Sequence, residues 1–214
     1  MQVTDRPPTL LALPGGQTVR IATQRWALER WDGEADPPEL KKTWARKPMF
    51  CVNGRRSCAE LAIVDYLRRD DWQGVWVSAF ARELRSQWFP APAFRTLAEA
   101  GAPIWAIQVF DRLRAANGHR LSGFFDVFAW REPGEVRFDE AKVGPDRIRD
   151  TQRAFVETAL RFHRLEDFTI IEVTAQPRRP VILPPDRVRR TGALDVHGAS
   201  RAASPGRAPS GRTA

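Results

Sequence analysis

An α/β fold, a sheet covered by helices, is what this sequence predicts, on three observations. Beyond residue 57, segments with a 3.6-residue apolar period alternate with short runs of β-branched and aromatic residues. Hydrophobic residues make up 43% of the 214 positions and include eight tryptophans, enough for one sizeable core. The segments run helix, strand, inserted helix, hairpin, helix, strand, an order that lays helices on a sheet.

The first 50 residues have no single period. TVRIATQRWALERW (18–31) mixes alternation with bulky aromatics, and Pro7-Pro8 and Pro37-Pro38 interrupt the region. Residues 1–50 are therefore expected to form an irregular N-terminal extension with at most a strand, packed through Trp26, Trp31 and Trp44. From residue 51 to 176 the pattern is that of the core. Ser57 can cap a helix whose Leu61, Val64 and Leu67, flanked by Ala59, Ile63 and Tyr66, recur at helical spacing as far as Asp70–Asp71. GVWVSAF (74–80) reads as a short strand. Pro103 suits a helix start, and IWAIQVFDRLRAANG runs at helical period to an Asn-Gly stop. FFDVFAW and EVRFDEAKV, broken by Glu-Pro-Gly at 132–134, read as a β-hairpin. Apolar residues at 148, 155, 156, 159, 160 and 162 predict an amphipathic helix from Ile148 to His163, and FTIIEVTA (168–175) a closing strand.

The net charge of +8 invites a nucleic-acid reading, but its location weakens that inference. Residues 177–214 hold eight arginines against Asp186 and Asp195, which leaves an excess of only two positive charges on the rest of the chain. Rich in Pro, Gly, Ser, Ala and Arg, this basic tail cannot bury enough surface to offset chain entropy and is expected to be disordered. No apolar run of roughly 18 residues could span a bilayer, and the N-terminus lacks the features of a signal peptide, so no membrane partner and a cytoplasmic location are expected. Cys51 and Cys58 have no metal-ligand spacing and are expected to be ordinary buried thiols.

The hairpin carries the chemistry. With the loop centred on Pro133, antiparallel partners have residue numbers that sum to 266, which sets Asp126 opposite Glu140. Directly opposite side chains share a face, with Cβ atoms roughly 4.5–5.5 Å apart. Lys142, two residues beyond Glu140, falls on that same face. Facing carboxylates repel, so the pair needs compensation: Lys142 supplies part, and a divalent cation with oxygen ligands would supply the rest. A slip of one residue would turn Asp126 away and leave an ordinary surface salt-bridge cluster.

The string FFDVFAW…VRFDEAKVGPDRIRDTQRAFVETAL…FTIIEV resembles the VRR-NUC family of the PD-(D/E)XK nuclease superfamily over about residues 118–174. Asp126 stands at the first acidic position and Glu140-Ala141-Lys142 at the Glu-x-Lys. Gly144-Pro145-Asp146-Arg147 matches the following turn, and Gln152 lies in the next helix. Phe125 departs from the Pro that usually precedes the family's Asp. The resemblance implies a restriction-endonuclease-like mixed sheet and a metal-dependent nuclease hydrolysing DNA phosphodiester bonds, with branched or flap DNA as a structure-selective substrate. It implies that Asp126, Glu140 and the Ala141 backbone carbonyl hold one or two Mg²⁺ (or Mn²⁺) ions, and that Lys142 positions the attacking water or stabilises the transition state.

Around that centre several assignments stay open. Gln152 either aims its amide at the site or is a satisfied core glutamine. Glu60 is either an outer metal ligand or a helix-capping acid three residues after Ser57. Arg147 could contact a phosphate, and Asp146 could cap the helix, the reading preferred here. His119 could face the substrate groove, and Trp130 could touch nucleic acid. Monomer and homodimer are not distinguished. A catalytically inactive nucleic-acid-binding protein with the same fold is the alternative; the presence of Asp126, Glu140 and Lys142 together argues against it.

Overall fold

A computed structural model describes residues 1–33, 47–88 and 91–177. They form a mixed α/β architecture with three helices and a seven-stranded mixed sheet. The strands are β1 (Gln2–Ala12), β2 (Thr18–Glu29), β5 (Gln73–Ser78), β6 (Glu83–Arg85), β7 (Val127–Arg131), β8 (Glu135–Val143) and β9 (Phe168–Gln176), in the order β1-β2-β9-β8-β7-β5-β6. β9 lies parallel to both β2 and β8, and the other pairs are antiparallel. A separate small hairpin joins β3 (Phe50–Val52) to β4 (Arg55–Ser57). The expected disordered tail, residues 177–214, lies outside the described residues beyond position 177, as does Trp44.

The central strands are buried on both faces, and the period of two divides their side chains between two cores. Phe128, Trp130, Val136 and Phe138 point into one core, shared with helices α2 (Ile104–Ala116) and α3 (Asp150–Ala159). Val127, Ala129 and Ala141 point into the other, under helix α1 (Ala59–Leu67). Phe138 anchors the first core. Its ring stacks on Phe168 at 4.9 Å and meets Phe128, Phe155 and His163 at centroid distances of 5.5, 6.1 and 5.2 Å. His163 is thus largely covered rather than a surface residue. Burial holds its imidazole below the usual value despite the Asp167 carboxylate 3.5 Å away.

For residues 2–29 the structure corrects the expectation of an irregular extension over residues 1–50. Residues 2–29 are a long hairpin within the main sheet, its second strand paired with β9. β2 changes its buried face midway: Val19, Ile21 and Thr23 are covered at one end, Trp26 and Leu28 at the other. Val19 and Ile21 join the core under α2 and α3, and Trp26 and Leu28 the core under α1. That switch breaks the single alternation by which a strand is recognised. Pro7-Pro8 falls in β1 at the sheet's edge, where the register shifts between Arg6 and Thr9. An edge tolerates a strand residue without an N–H.

Two helix starts also differ from expectation. Ser57 ends β4, and Cys58 is the N-cap of α1. α3 begins at Asp150 with Arg149 as its N-cap, so Asp146 does not cap it, and the helix stops at Ala159 before the expected His163. Gln152 Oε1 does the capping, accepting the Arg149 backbone N–H at 2.9 Å.

Candidate active site

The β7–β8 hairpin has the predicted register. Val127 faces Asp139, Phe128 faces Phe138 and Arg131 faces Glu135, each pair summing to 266. Asp126 is the residue just before β7, and its backbone carbonyl still accepts the Val77 N–H at 2.7 Å. The two strands exchange bonds at this point. The Asp126 N–H donates to Glu140 Oε2 at 3.1 Å, and the Ala141 N–H donates to Asp126 Oδ2 at 3.1 Å. Asp126 and Glu140 therefore converge, as the register requires.

Lys142 reaches the same point. Its Nζ lies 2.8 Å from Glu140 Oε1, donates to Gln152 Oε1 at 3.2 Å and lies 3.5 Å from Asp146 Oδ2. Gln152 Nε2 donates to Glu140 Oε1. One amide thus holds an anion with its nitrogen, and with its oxygen a cation and the first turn of its own helix. Between the two readings of Gln152, the geometry is that of a glutamine aimed at the carboxylate. Gly123 helps place it. At φ +88° in a loop packed on α3, a Cβ here would stand 2.2 Å from the Thr151 carbonyl oxygen.

These groups line an open cleft of about 840 Å³, which Lys47, Glu60, Trp76, Ser78 and Arg149 also border. Glu60 is buried, and its partner is the Lys47 ammonium, which also sits 4.7 Å above the Trp76 ring. With Cys58 as the N-cap of α1, Glu60 does not close a capping box with Ser57.

The electrostatics follow from crowding acids in a covered place. Burial raises the Asp126 carboxyl well above the usual range, and Glu140 and Glu60 add to the rise; Lys47 and Lys142 oppose it. Burial also raises Glu140, against the pull of Lys142 and Gln152. Burial would lower the Lys47 ammonium, but Glu60, Cys58 and Asp126 outweigh it and hold Lys47 above its ordinary value. Burial and Glu60 likewise push the Cys58 thiol up, so it is a neutral core residue.

Other expected residues are elsewhere. Trp130 is 3% exposed, packed against Phe128 at 5.8 Å, with its indole N–H buried and unpartnered; it cannot stack on a base. His119 is exposed in the turn after α2 and does not line the cleft. Arg147 is exposed with its guanidinium turned back on the Asp146 carbonyl, while Arg149, not singled out from the sequence, borders the cleft. Lys47 also escaped notice, because it lies outside any periodic segment. Phe80, 79% exposed, is the aromatic that stands at the cleft's rim.

Oxygen donors suit a hard divalent cation here. The half-buried Asp126 and the buried Glu140 present carboxylate oxygens to the cleft, and the Ala141 carbonyl is adjacent in sequence. Among the described residues no group of three or more His, Cys, Asp or Glu side chains is arranged around a metal position. Backbone, water and substrate oxygens would have to complete the shell, as Mg²⁺ ordinarily allows. No helix among the described residues is long and apolar enough to cross a membrane. No protein-family model, curated protein or solved structure matches the chain.

Proposed function

We propose that this protein is a metal-dependent nuclease of the VRR-NUC kind, with a restriction-endonuclease-like core, that hydrolyses phosphodiester bonds in DNA. The observation that carries the reading is the convergence of Asp126, Glu140, Lys142 and Gln152 at one end of the β7–β8 hairpin, on an open cleft. Asp126, Glu140 and the Ala141 carbonyl would hold Mg²⁺ or Mn²⁺, which when bound supplies Lewis acidity and lowers the pKa of water. The chain's own groups do the rest. Lys142, fixed between Glu140 and Gln152, places a positive charge where the phosphoryl oxygens gain negative charge. Gln152 keeps the Glu140 carboxylate turned toward Lys142. The cleft that these groups line, about 840 Å³, is open to solvent.

The test is cleavage of a labelled panel (linear duplex, single strand, flap and four-way junction) with Mg²⁺ or Mn²⁺. Wild type should cut at least one substrate, and Lys142→Ala should lower the rate about 10²-fold or more while melting as a folded protein. The substrate cut fastest identifies the structural preference. Binding without cleavage by wild type would replace this reading with that of a non-catalytic nucleic-acid-binding protein.

A further inference from the structure

We infer that Lys47 serves as a built-in second cation, so that the cleft takes one divalent ion rather than two. The inference rests on the metal-dependent reading above, and it concerns the side of the cleft that reading leaves unused. Beyond Asp126 and Glu140, the cleft is bordered by two more carboxylates. Asp146 sits at the rim, 42% exposed, where it shares Lys142. Glu60 is the buried one, at 6%, and lines the same cleft as Asp126. A second metal would need Glu60.

That carboxylate is already engaged. The Lys47 ammonium pairs with it and is held from another side by the face of Trp76, at 4.7 Å. The ammonium borders the same cleft as Asp126. A divalent ion bound between Glu60 and Asp126 would have to expel Lys47 or sit against it. At such separations two cations in a partly covered site repel strongly.

The charge balance gives the same answer. Counted fully ionised, Glu60, Asp126, Glu140 and Asp146 face Lys47, Lys142 and Arg149, which leaves the cleft one net negative charge. One divalent ion turns this into one positive charge, the complement of a single phosphodiester. Two divalent ions would leave an excess of three positive charges. Lys47 therefore does the neutralising work that a second metal would do, without having to be recruited.

Metal stoichiometry tests this without reference to activity. Full-length wild type, Lys47→Met, Glu60→Gln and the Lys47→Met/Glu60→Gln double variant are titrated with Mn²⁺ and no nucleic acid, reading free Mn²⁺ by electron paramagnetic resonance. Wild type should bind one Mn²⁺, and Glu60→Gln should bind one with an affinity within about threefold of it. Lys47→Met, which frees Glu60, should bind two, and the double variant should return to one. Two Mn²⁺ on wild type, or a loss of affinity above tenfold in Glu60→Gln, overturns the role of Lys47 and leaves the nuclease reading intact. No Mn²⁺ on wild type overturns the metal site itself. The wild-type and Glu60→Gln measurements decide the matter even where Lys47→Met fails to fold.

Discussion

Two hairpins sit in the same sheet and do opposite things. In the β7–β8 hairpin both strands have neighbours on each side, and both faces are covered by helices. The β1–β2 hairpin is peripheral, with β1 at the edge and mostly exposed, its register shifted at Pro7-Pro8. Burial on both faces makes register costly to change, because a one-residue slip would exchange the contents of two cores. The inner hairpin can therefore hold two carboxylates against their mutual repulsion. The outer one extends the sheet and covers β9. The converging groups lie where the scaffold has the fewest alternatives.

The comparison can be broken first at Phe138, the centre of the inner hairpin's aromatic cluster. Phe138→Ala should destabilise the fold by about 3–5 kcal/mol in chemical denaturation, the usual cost of emptying a buried aromatic site. Leu10→Ala, on the 64%-exposed side of the outer hairpin, should stay within about 0.5 kcal/mol. Similar losses for the two would mean that the peripheral hairpin is as constrained as the central one.

Gly123→Ala sharpens the same contrast next to the site. The positive φ and the 2.2 Å approach to the Thr151 carbonyl oxygen leave no room for a methyl group. The cost of the strained backbone is about 1–3 kcal/mol, and the added displacement of α3 should separate Gln152 from Glu140. Cleavage should fall further than stability does. A variant with normal rates would show that α3 tolerates movement without loss of the constellation.

A smaller effect is expected in the dependence of stability on pH. A carboxyl whose pKa is raised by folding binds its proton more tightly in the folded state. Asp126 should therefore contribute stability below the unfolded carboxylate value, about 4, and that contribution is lost as pH climbs through the raised folded value. Without metal, the melting temperature of wild type should fall relative to Asp126→Asn as pH rises from about 4 to about 8. Added Mg²⁺ should restore wild type at the upper end and leave Asp126→Asn unmoved. A difference that is flat with pH would remove the crowding of acids from the account.

Legibility followed the same division between the hairpins. The turn at 132–134 and the alternation on either side put Asp126 opposite Glu140 by counting, because an antiparallel pair converts sequence distance into spatial position. Lys142 came with Glu140 through the period of two. β2 was hidden because its covered face changes between Thr23 and Trp26, which cancels the pattern that marks a strand. Trp130 shows the limit on the other side: alternation along its strand was readable, but not which layer covered each face, and its indole lies in a core. Asp139 is a related case. It is as buried as Glu140 and adjacent to it, yet it points to the opposite face and is satisfied by Arg137 at 2.8 and 2.9 Å.

By itself, then, the sequence determined the α/β class, the helices under Leu61 and Phe110, the hairpin register and the convergence of Asp126, Glu140 and Lys142. These depend on local periods and on pairing across a short turn. Only the tertiary structure decided that the first strands join the main sheet beside β9, that the Lys47 ammonium pairs with Glu60, and that Arg149 instead of Arg147 borders the cleft. Each of these joins segments far apart in the chain or turns on the direction of one side chain in a loop, and no local period encodes such contacts.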